Sequence, residues 1–295
     1  MRDFLGSIIS VLIAGFFVFL VTQEDGLMTY GIPSLLIIAI TSFLIHWLIF
    51  IPSYLAKSEK FFDITGTLAY IVMLFLARYF LSLNGYDLGL RAQIVIILVF
   101  IWSLRLGIFL FIRVFQVGED ARFSEAKNSF FKFMMWFTIS ALWVFLTTIN
   151  AITLILNNPD SIQDVYFYVG ISIWLIGFLV EVIADNQKRQ FRMYKRSNEN
   201  PFISTGLWSI SRHPNYLGEI MIWFGMAIIS IPALTGWQFS SLISPIFVYI
   251  LLTRMSGVKM LEEQADKRWN ALSAYKTYKD NTPVLFPFTK SKASE

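Results

Sequence analysis

Residues 33–51 read PSLLIIAITSFLIHWLIFI, and His46 is the only side chain among them that can carry a charge. A helix needs about 20 apolar residues to cross the roughly 30 Å hydrocarbon core of a bilayer. This stretch meets that requirement, and a water-soluble fold does not account for so long an apolar run. We therefore interpret residues 33–51 as a transmembrane helix.

The composition of the whole chain points the same way. Of its 295 residues, 56% are hydrophobic and only 15% are charged, whereas soluble domains have about 25% charged residues. The chain has no cysteine and only two histidines, His46 and His213. These counts exclude disulfides and thiolate metal sites and argue against a histidine-rich metal centre. We expect no bound metal and no nucleic-acid partner.

The same length criterion applied along the chain predicts an all-α polytopic membrane protein with about eight transmembrane helices. The candidate runs are 4–22, 33–51, 63–83, 93–113, 131–155, 165–184, 217–232 and 240–256. The last two are short and meet near Pro232, so seven spans is the alternative. The first run lacks a small-x-small cleavage site, and we interpret it as a span and not as a signal peptide.

Basic and non-basic loops alternate along the chain. Cytoplasmic loops carry the excess of Lys and Arg, and here the second, fourth and sixth loops and the C-terminal tail are basic. The pattern favours eight spans over seven and predicts that both termini are cytoplasmic, in a bacterial inner membrane. We expect a monomer in contact with membrane lipid.

Ionisable side chains within the spans are costly and are therefore candidates for function. They are His46, Asp63, Arg78, Arg105, Arg113, Glu181, Asp185 and Glu219. We interpret Arg78, near the outer end of its helix, as snorkelling to the interface. The others fall in the cytosolic half, which predicts one polar cavity open to the cytosol and formed by the C-terminal helices. Separate buried ion pairs are the alternative.

Two patterns of polar residues indicate what kind of ligand this cavity would bind. Glu181, Asp185, Arg189 and Arg192 share one helix face, which suits a ligand with hydroxyl or amide groups at one end and phosphates at the other. The alternative is an ordinary helix end whose bases favour the dipole.

The second pattern is the segment 206–219, GLWSISRHPNYLGE. Pro214 suits the first turn of a helix, and Arg212 and His213 precede the N-terminus, where an anion binds favourably. The polar face of that helix consists of Asn215, Glu219 and Trp223. Neither a Gly-x-Gly-x-x-Gly fingerprint nor a Walker lysine motif is present, so a nucleotide would bind without those units.

These segments resemble the steroid 5α-reductase family, in its bacterial DUF1295 branch. The matching stretches are 62–66, 102–106 with Arg113, 118–122, 181–188, 206–219, 256–262 and 278–287. The resemblance covers about residues 60–288 and implies N-terminal transmembrane helices over 1–60, a membrane reductase domain over 61–288 and a tail over 289–295.

Membership of that family implies NADPH-dependent reduction of an activated carbon–carbon double bond in a lipophilic substrate, above all the Δ4 bond of a 3-oxo steroid. Asp63 matches the family's glutamate that polarises the keto oxygen. Trp102 stands where the family has a tyrosine, and either His46 or Tyr70 is a candidate to replace that tyrosine.

The resemblance also assigns the cofactor contacts. Asp185, Arg192, Asn215 and Glu219 match family positions that hold the nicotinamide cofactor, and Arg113 matches an asparagine that does so. The related sterol reductases add Glu263 and Tyr278. Together with the two polar patterns, the expected cofactor set is Arg105, Arg113, Glu181, Asp185, Arg189, Arg192, Arg212, His213, Asn215, Glu219, Trp223, Glu263 and Tyr278.

Two other functions remain open from the sequence. One is an S-adenosylmethionine-dependent membrane methyltransferase of the isoprenylcysteine or phospholipid type, which shares an Arg-His-Pro-x-Tyr-x-Gly segment. The other is a lipid transporter or a non-catalytic sterol-binding protein, although no internal repeat typical of transporters is visible.

Overall fold

The computed structural model describes residues 2–117, 123–158, 163–194, 201–255, 257–287 and 289. Ten α-helices run through these residues. They are α1 (Arg2–Val21), α2 (Ser34–Leu55), α3 (Phe62–Leu83), α4 (Leu90–Val117), α5 (Phe130–Asn157), α6 (Val165–Tyr194), α7 (Pro214–Ser230), α8 (Ile243–Ile250), α9 (Val258–Trp269) and α10 (Ser273–Asn281). Within the described ranges, the only strands are Met28–Thr29 and Ile32–Pro33, which pair antiparallel.

Eight helical segments of the described chain are long and apolar enough to cross a membrane, which confirms the predicted class. They are Asp3–Val21, Ser34–Leu55, Phe62–Leu83, Leu90–Phe115, Phe130–Asn157, Val165–Met193, Pro214–Ala233 and Gly236–Trp269. Large apolar side chains such as Leu12, Leu48 and Phe75 are exposed on them, as expected for helix surfaces that face lipid.

The break between the last two spans lies next to Pro232, as the sequence predicts. Helix α7 ends at Ser230, and Pro232 is the second residue of the short 3₁₀ turn that follows, Ile231–Ala233. Proline lacks the N–H that a continuing helix would need. A second 3₁₀ segment, Gly236–Leu242, leads into α8, which continues as a π-helical turn over Leu251–Met255.

The chain divides into two compact units. The first unit comprises Met1–Phe167 and Ile229–Ser244. Helix α5 is its central helix, because 83% of the most apolar stretch of α5 is buried. Helices α3 and α4 cross closely, because a Cβ at Gly107 would collide with the Thr67 side chain. Thr67 also donates to the Ser103 carbonyl (3.2 Å).

Within this unit, the four non-basic loops meet one another. The hydrogen bonds run from Trp237 N to Glu24 Oε1 (3.0 Å), from Gly89 N to Asn158 Oδ1 (2.8 Å) and from Asn157 Nδ2 to Ala233 O (2.7 Å). An ion pair, Arg91 with Asp164 (2.9 Å), also joins the third and fifth loops. The first, third, fifth and seventh loops therefore lie on one side, as the alternation of loop charges requires.

The second and fourth loops are joined separately. Lys127 Nζ lies 3.4 Å from Glu59 Oε2, and both side chains are largely buried. Beside this pair, an aromatic cluster packs edge to face around the ends of α2, α3 and α5. Its buried members are Phe50, Phe62, Phe123, Ala126, Phe133 and Phe137. This cluster fixes the start of α3, and with it the position of Asp63.

The second unit comprises Tyr168–Ile228 and Pro245–Glu295. Its helices α6 and α7 pack backbone against backbone. A Cβ at Gly218 would lie 2.6 Å from both Gly177 O and Glu181 N, and a Cβ at Gly225 would lie 2.6 Å from Gly170 O. Small residues allow this close approach between membrane helices. The crossing brings Gly218 of α7 directly against Glu181 of α6.

Candidate functional site

A buried cluster of three charged or ionisable side chains lies in the second unit. We call Arg212, His213 and Glu262 the Glu262 cluster. The Glu262 carboxylate accepts a hydrogen bond from His213 Nε2 (2.8 Å) through one oxygen and pairs with Arg212 Nη2 (3.2 Å) through the other. Arg212 and His213 side chains are 9% and 7% exposed. A carboxylate on α9 thus holds the segment that precedes α7.

The chain beyond α10 supports the same segment through its backbone. Arg212 N donates to Pro283 O (2.9 Å), and Ser211 Oγ donates to Leu285 O (2.8 Å). The His213 ring stacks on Tyr216, with ring centres 5.7 Å apart. A Cβ at Gly257 would lie 3.0 Å from the Tyr216 ring, so glycine allows the residue before α9 to approach that tyrosine.

His213 is neutral in this environment. Burial lowers the pKa of His213, and the nearby cations Lys188 and Arg212 lower it further, although the hydrogen bond to Glu262 acts in the opposite direction. Because Nε2 donates to the carboxylate, Nδ1 of the neutral ring is the acceptor nitrogen. The positive charge before α7 is therefore that of Arg212, and His213 contributes hydrogen bonds.

The predicted acidic residues of α6 and α7 are buried in this unit. Glu181, Asp185 and Glu219 are each less than a tenth exposed. Asn215 Nδ2 donates to Asp185 Oδ1 (3.3 Å), so the two polar patterns found in the sequence meet here. Trp223, one turn beyond Glu219, is fully buried.

One turn beyond Asp185, the 3₁₀ turn Gly206–Ser209 packs on α6. Trp208 Nε1 donates to Ala184 O (3.1 Å), and Lys188 Nζ lies 4.7 Å from the centre of the Trp208 ring. Gly206 adopts φ +63°, and a Cβ there would collide with the Gln187 side chain. The turn therefore requires glycine, both for its backbone conformation and for the space that Gln187 occupies.

Tyr278, expected at the cofactor, fixes the tail to this turn. Its hydroxyl donates to the Trp208 carbonyl (2.7 Å), and burial raises its pKa, so the phenol stays protonated. Phe202 packs against the rings of Trp269, Tyr275 and Tyr278 at centroid distances of 5.9, 5.3 and 5.3 Å. Helices α9 and α10 are thus fixed against the loop before α7.

Three expected cofactor residues of the second unit have exposed side chains. Arg189 donates to Asn186 Oδ1 (3.1 Å), and Arg192 Nε donates to the Lys188 carbonyl (3.4 Å); both side chains are exposed. Glu263 is exposed too, and its neighbour Glu262 is the residue that meets Arg212 and His213. No local pattern in the sequence distinguishes Glu262 from Glu263, because the two acids are adjacent on α9.

The expected catalytic residues belong to the first unit. Asp63 lies in the first turn of α3 and is partly buried. Trp102 is fully buried and packs edge to face on Tyr70, with ring centres 5.4 Å apart. The Tyr70 hydroxyl lies 2.7 Å from Thr147 Oγ1. A phenol therefore stands beside the tryptophan that replaces the family's tyrosine.

His46 uses both ring nitrogens within the protein. Nδ1 donates to the Ser42 carbonyl (2.7 Å), which leaves Nε2 to accept from the Ser140 hydroxyl (3.2 Å). The side chain is completely buried and joins α2 to α5.

On α4, Arg105 lies 5.5 Å from the Phe109 ring centre, and both Arg105 and Arg113 are partly buried. Residues 118–122 and Ser256, which belong to two of the matched stretches, lie outside the described residues.

The chain matches one known protein family over most of its length. The sequence profile of DUF1295, described as a protein of unknown function, matches residues 49–282. The chain belongs to the DUF1295 family. The family expected from its motifs is thereby confirmed.

The DUF1295 protein also resembles a curated mammalian protein over part of its length. It is 31% identical to 3-oxo-5-alpha-steroid 4-dehydrogenase 1 of Bos taurus over 81 residues, which are 28% of this chain and 31% of the bovine protein. The match thus spans about a third of the bovine relative. No solved structure matches the chain significantly. The two matches together are consistent with a membrane protein family similar to the steroid 5α-reductases.

Proposed function

We propose that this DUF1295 protein uses NADPH to reduce an activated carbon–carbon double bond in a lipophilic substrate, most specifically the Δ4 bond of a 3-oxo steroid. The observation that carries the proposal is the similarity to the bovine 3-oxo-5-alpha-steroid 4-dehydrogenase 1. The eight apolar spans support it, because a protein within the bilayer can take its substrate directly from the lipid.

The donor set of the second unit fits a phosphorylated dinucleotide. Asp185 and Glu219 are buried acceptors and Asn215 supplies an amide, which suits hydroxyl and carboxamide groups. The Nε–H of Arg212 is buried and has no acceptor among the described residues, so it remains available to an anionic oxygen. Exposed Arg189 and Arg192 suit phosphates. When bound, NADPH supplies a hydride to the carbon β to the ketone, C5 in a Δ4-3-oxo steroid.

Negative charge then develops on the 3-oxo oxygen, and donors aimed at that atom lower the barrier. We assign this role to Asp63, assisted by the N–H of Trp102 or the hydroxyl of Tyr70. Both His46 nitrogens are engaged within the protein, and the Tyr70 hydroxyl is bonded to Thr147, so either side chain would have to exchange a protein partner for the substrate. Uptake of a proton from water at C4 re-forms the 3-oxo group and completes the reduction.

Steady-state oxidation of NADPH by the purified protein tests the proposal. We expect consumption of NADPH with progesterone or testosterone and formation of the 5α product. Reduction of an enoyl thioester with both steroids unreacted would retain the reductase and overturn the substrate. Tight binding of S-adenosylmethionine with none of NADPH would overturn the reductase and favour the methyltransferase.

A further inference from the structure

A polar groove lies between α3 and α4, at the ends of these helices that lead into the third loop. We call it the α3–α4 groove; it has a volume of about 510 Å³ and is lined by Arg78, Asp87, Leu88, Gln93, Ile96 and Ile97. Small-molecule sites in proteins usually occupy about 300–1,000 Å³. The groove belongs to the first unit and includes none of the residues proposed for catalysis.

The groove lies at the level of lipid headgroups. Arg78 is little more than a turn from the end of the candidate span Phe62–Leu83, and Gln93 is in the first turn of the span Leu90–Phe115. Spans of this length place their ends at the boundary between hydrocarbon and headgroups. Leu88, Ile96 and Ile97 supply apolar surface beside the polar groups, as a bound acyl chain would require.

The two charges of the groove are opposite in sign, and within the described part of the chain they have no polar partner. Arg78 and Asp87 are exposed, and neither side chain forms an ion pair or hydrogen bond with any described residue. The loop that carries Asp87 is nevertheless fixed, because Asn158 Nδ2 donates to its carbonyl (2.6 Å). A cation and an anion are therefore held in one cavity without neutralising each other.

Gln93 adds a hydrogen-bond acceptor. Its Nε2 donates to the Leu88 carbonyl (2.8 Å), which leaves Oε1 for a ligand. The groove therefore offers one cation that matches a phosphate and two acceptors, Asp87 and Gln93, that match an ammonium with N–H donors. If Arg78 only snorkelled to the interface, it would pair with a lipid phosphate, but this would not explain why two acceptors, Asp87 and Gln93, lie beside it.

We propose that the α3–α4 groove binds a phospholipid whose headgroup combines a phosphate with a primary ammonium, as in phosphatidylethanolamine. Arg78 binds the phosphate, and Asp87 and Gln93 accept hydrogen bonds from the ammonium. Phosphatidylcholine carries both charges but no N–H donor, and phosphatidylglycerol lacks the cation, so both fit the groove less well.

Native mass spectrometry of the full-length protein, released from nanodiscs with equal amounts of these three lipids, tests the proposal. We expect phosphatidylethanolamine to be retained about fivefold over either of the others, as one interfacial charge contact suggests. Arg78→Gln should reduce retention of both phosphatidylethanolamine and phosphatidylglycerol. Asp87→Asn should reduce only phosphatidylethanolamine and so abolish the preference.

The controls remove the same charges elsewhere. Asp25→Asn and Lys276→Gln change exposed residues outside the groove and should leave the lipid ratio unchanged, and Arg78→Lys should largely retain phosphate binding. Equal retention of phosphatidylglycerol and phosphatidylethanolamine by the wild type would overturn the proposal. Undiminished lipid retention in Arg78→Gln, or an unchanged lipid ratio in Asp87→Asn, would overturn it as well.

Discussion

Glu262 Oε1 lies 2.8 Å from His213 Nε2, across 49 residues of sequence. Because the second carboxylate oxygen pairs with Arg212, one residue of α9 orients the two side chains that precede α7. Both belong to the expected cofactor set. Glu262 is therefore a positioning residue in the proposed cofactor site.

Glu262→Gln tests this role. An amide has one acceptor oxygen where the carboxylate has two, and it carries no charge to balance Arg212. Hydrogen bonds to charged groups contribute about 1.5–3 kcal/mol, so we expect the affinity for NADPH to fall at least about tenfold. The measurement is the Kd for NADPH by fluorescence titration, together with kcat.

Glu263→Gln is the matched control, since Glu263 is adjacent and exposed. It removes the same charge from the same helix and should change the Kd less than twofold. Equal losses in the two variants would show that Glu262 acts only through the overall charge of α9.

Gly218→Ala should destabilise the second unit. The added Cβ would lie 2.6 Å from two backbone atoms of α6, Gly177 O and Glu181 N, and backbone cannot move aside as a side chain can. Overpacking of this kind costs about 1–3 kcal/mol, which we expect to see as a lower melting temperature in detergent. Gly15→Ala is the control, because a Cβ there has no heavy atom within 4 Å. Similar melting temperatures for the two variants would contradict the close helix crossing.

Asp63→Asn should act on the chemical step. Asparagine retains the shape of the side chain but cannot transfer a proton to the substrate oxygen, and loss of general acid catalysis costs about 100-fold or more in kcat. We expect unchanged NADPH affinity, since Asp63 is not in the proposed cofactor set. Asp25→Asn, which removes an exposed carboxylate from the first loop, should leave kcat unchanged. A weaker Kd for NADPH with normal kcat would move Asp63 from catalysis to cofactor binding.

The ion pair of Asp164 with Arg91 should make stability depend on pH. Burial alone would raise the pKa of Asp164, but hydrogen bonds from the Phe167 backbone and from Arg91 outweigh it, so the pKa is lowered from 3.8. A carboxyl with a lowered pKa stabilises the folded state above its unfolded pKa and loses that contribution as the pH falls through the folded value.

Asp164→Asn should therefore lower the melting temperature at pH 7 and at pH 5 to the same extent. The difference from the wild type should begin to shrink only below about pH 3.8, the ordinary pKa, and should be lost as the pH falls through the lower pKa of the folded protein, where the Asp164 carboxyl becomes protonated. A difference that already vanishes between pH 7 and pH 5 would require a group other than this carboxylate.

Much of the architecture follows from the sequence. The lengths of the apolar runs predict the spans, and the charges of the loops predict which loops lie on the same side of the membrane. The hydrogen bond from Trp237 to Glu24 confirms that the first and seventh loops lie on the same side. The spacing of Glu181 and Asp185 predicts a shared face. In the structure Asp185 accepts a hydrogen bond from Asn215 of α7, and Gly218 of the same helix packs against Glu181.

Other features depend on contacts that no local pattern specifies. The hydrogen bond of His46 involves Ser140, 94 residues away, so its position between two helices could not be predicted from its own segment. The choice of Glu262 over Glu263 depends on the rotation of α9, and a shift of one residue turns the side chain by about 100°. Gly177 and Gly218 reveal their role only once α6 and α7 are paired.

The transfer of a labelled hydride tests the proposed reduction most directly. NADPH carrying deuterium at C4 of the nicotinamide would be incubated with the purified protein and a Δ4-3-oxo steroid, and the product analysed by mass spectrometry and NMR. The proposal predicts one deuterium at C5, in the 5α configuration, when the transferable face of the nicotinamide carries the label. An unlabelled and unreduced steroid under conditions where the protein binds and transfers the methyl group of S-adenosylmethionine would contradict it.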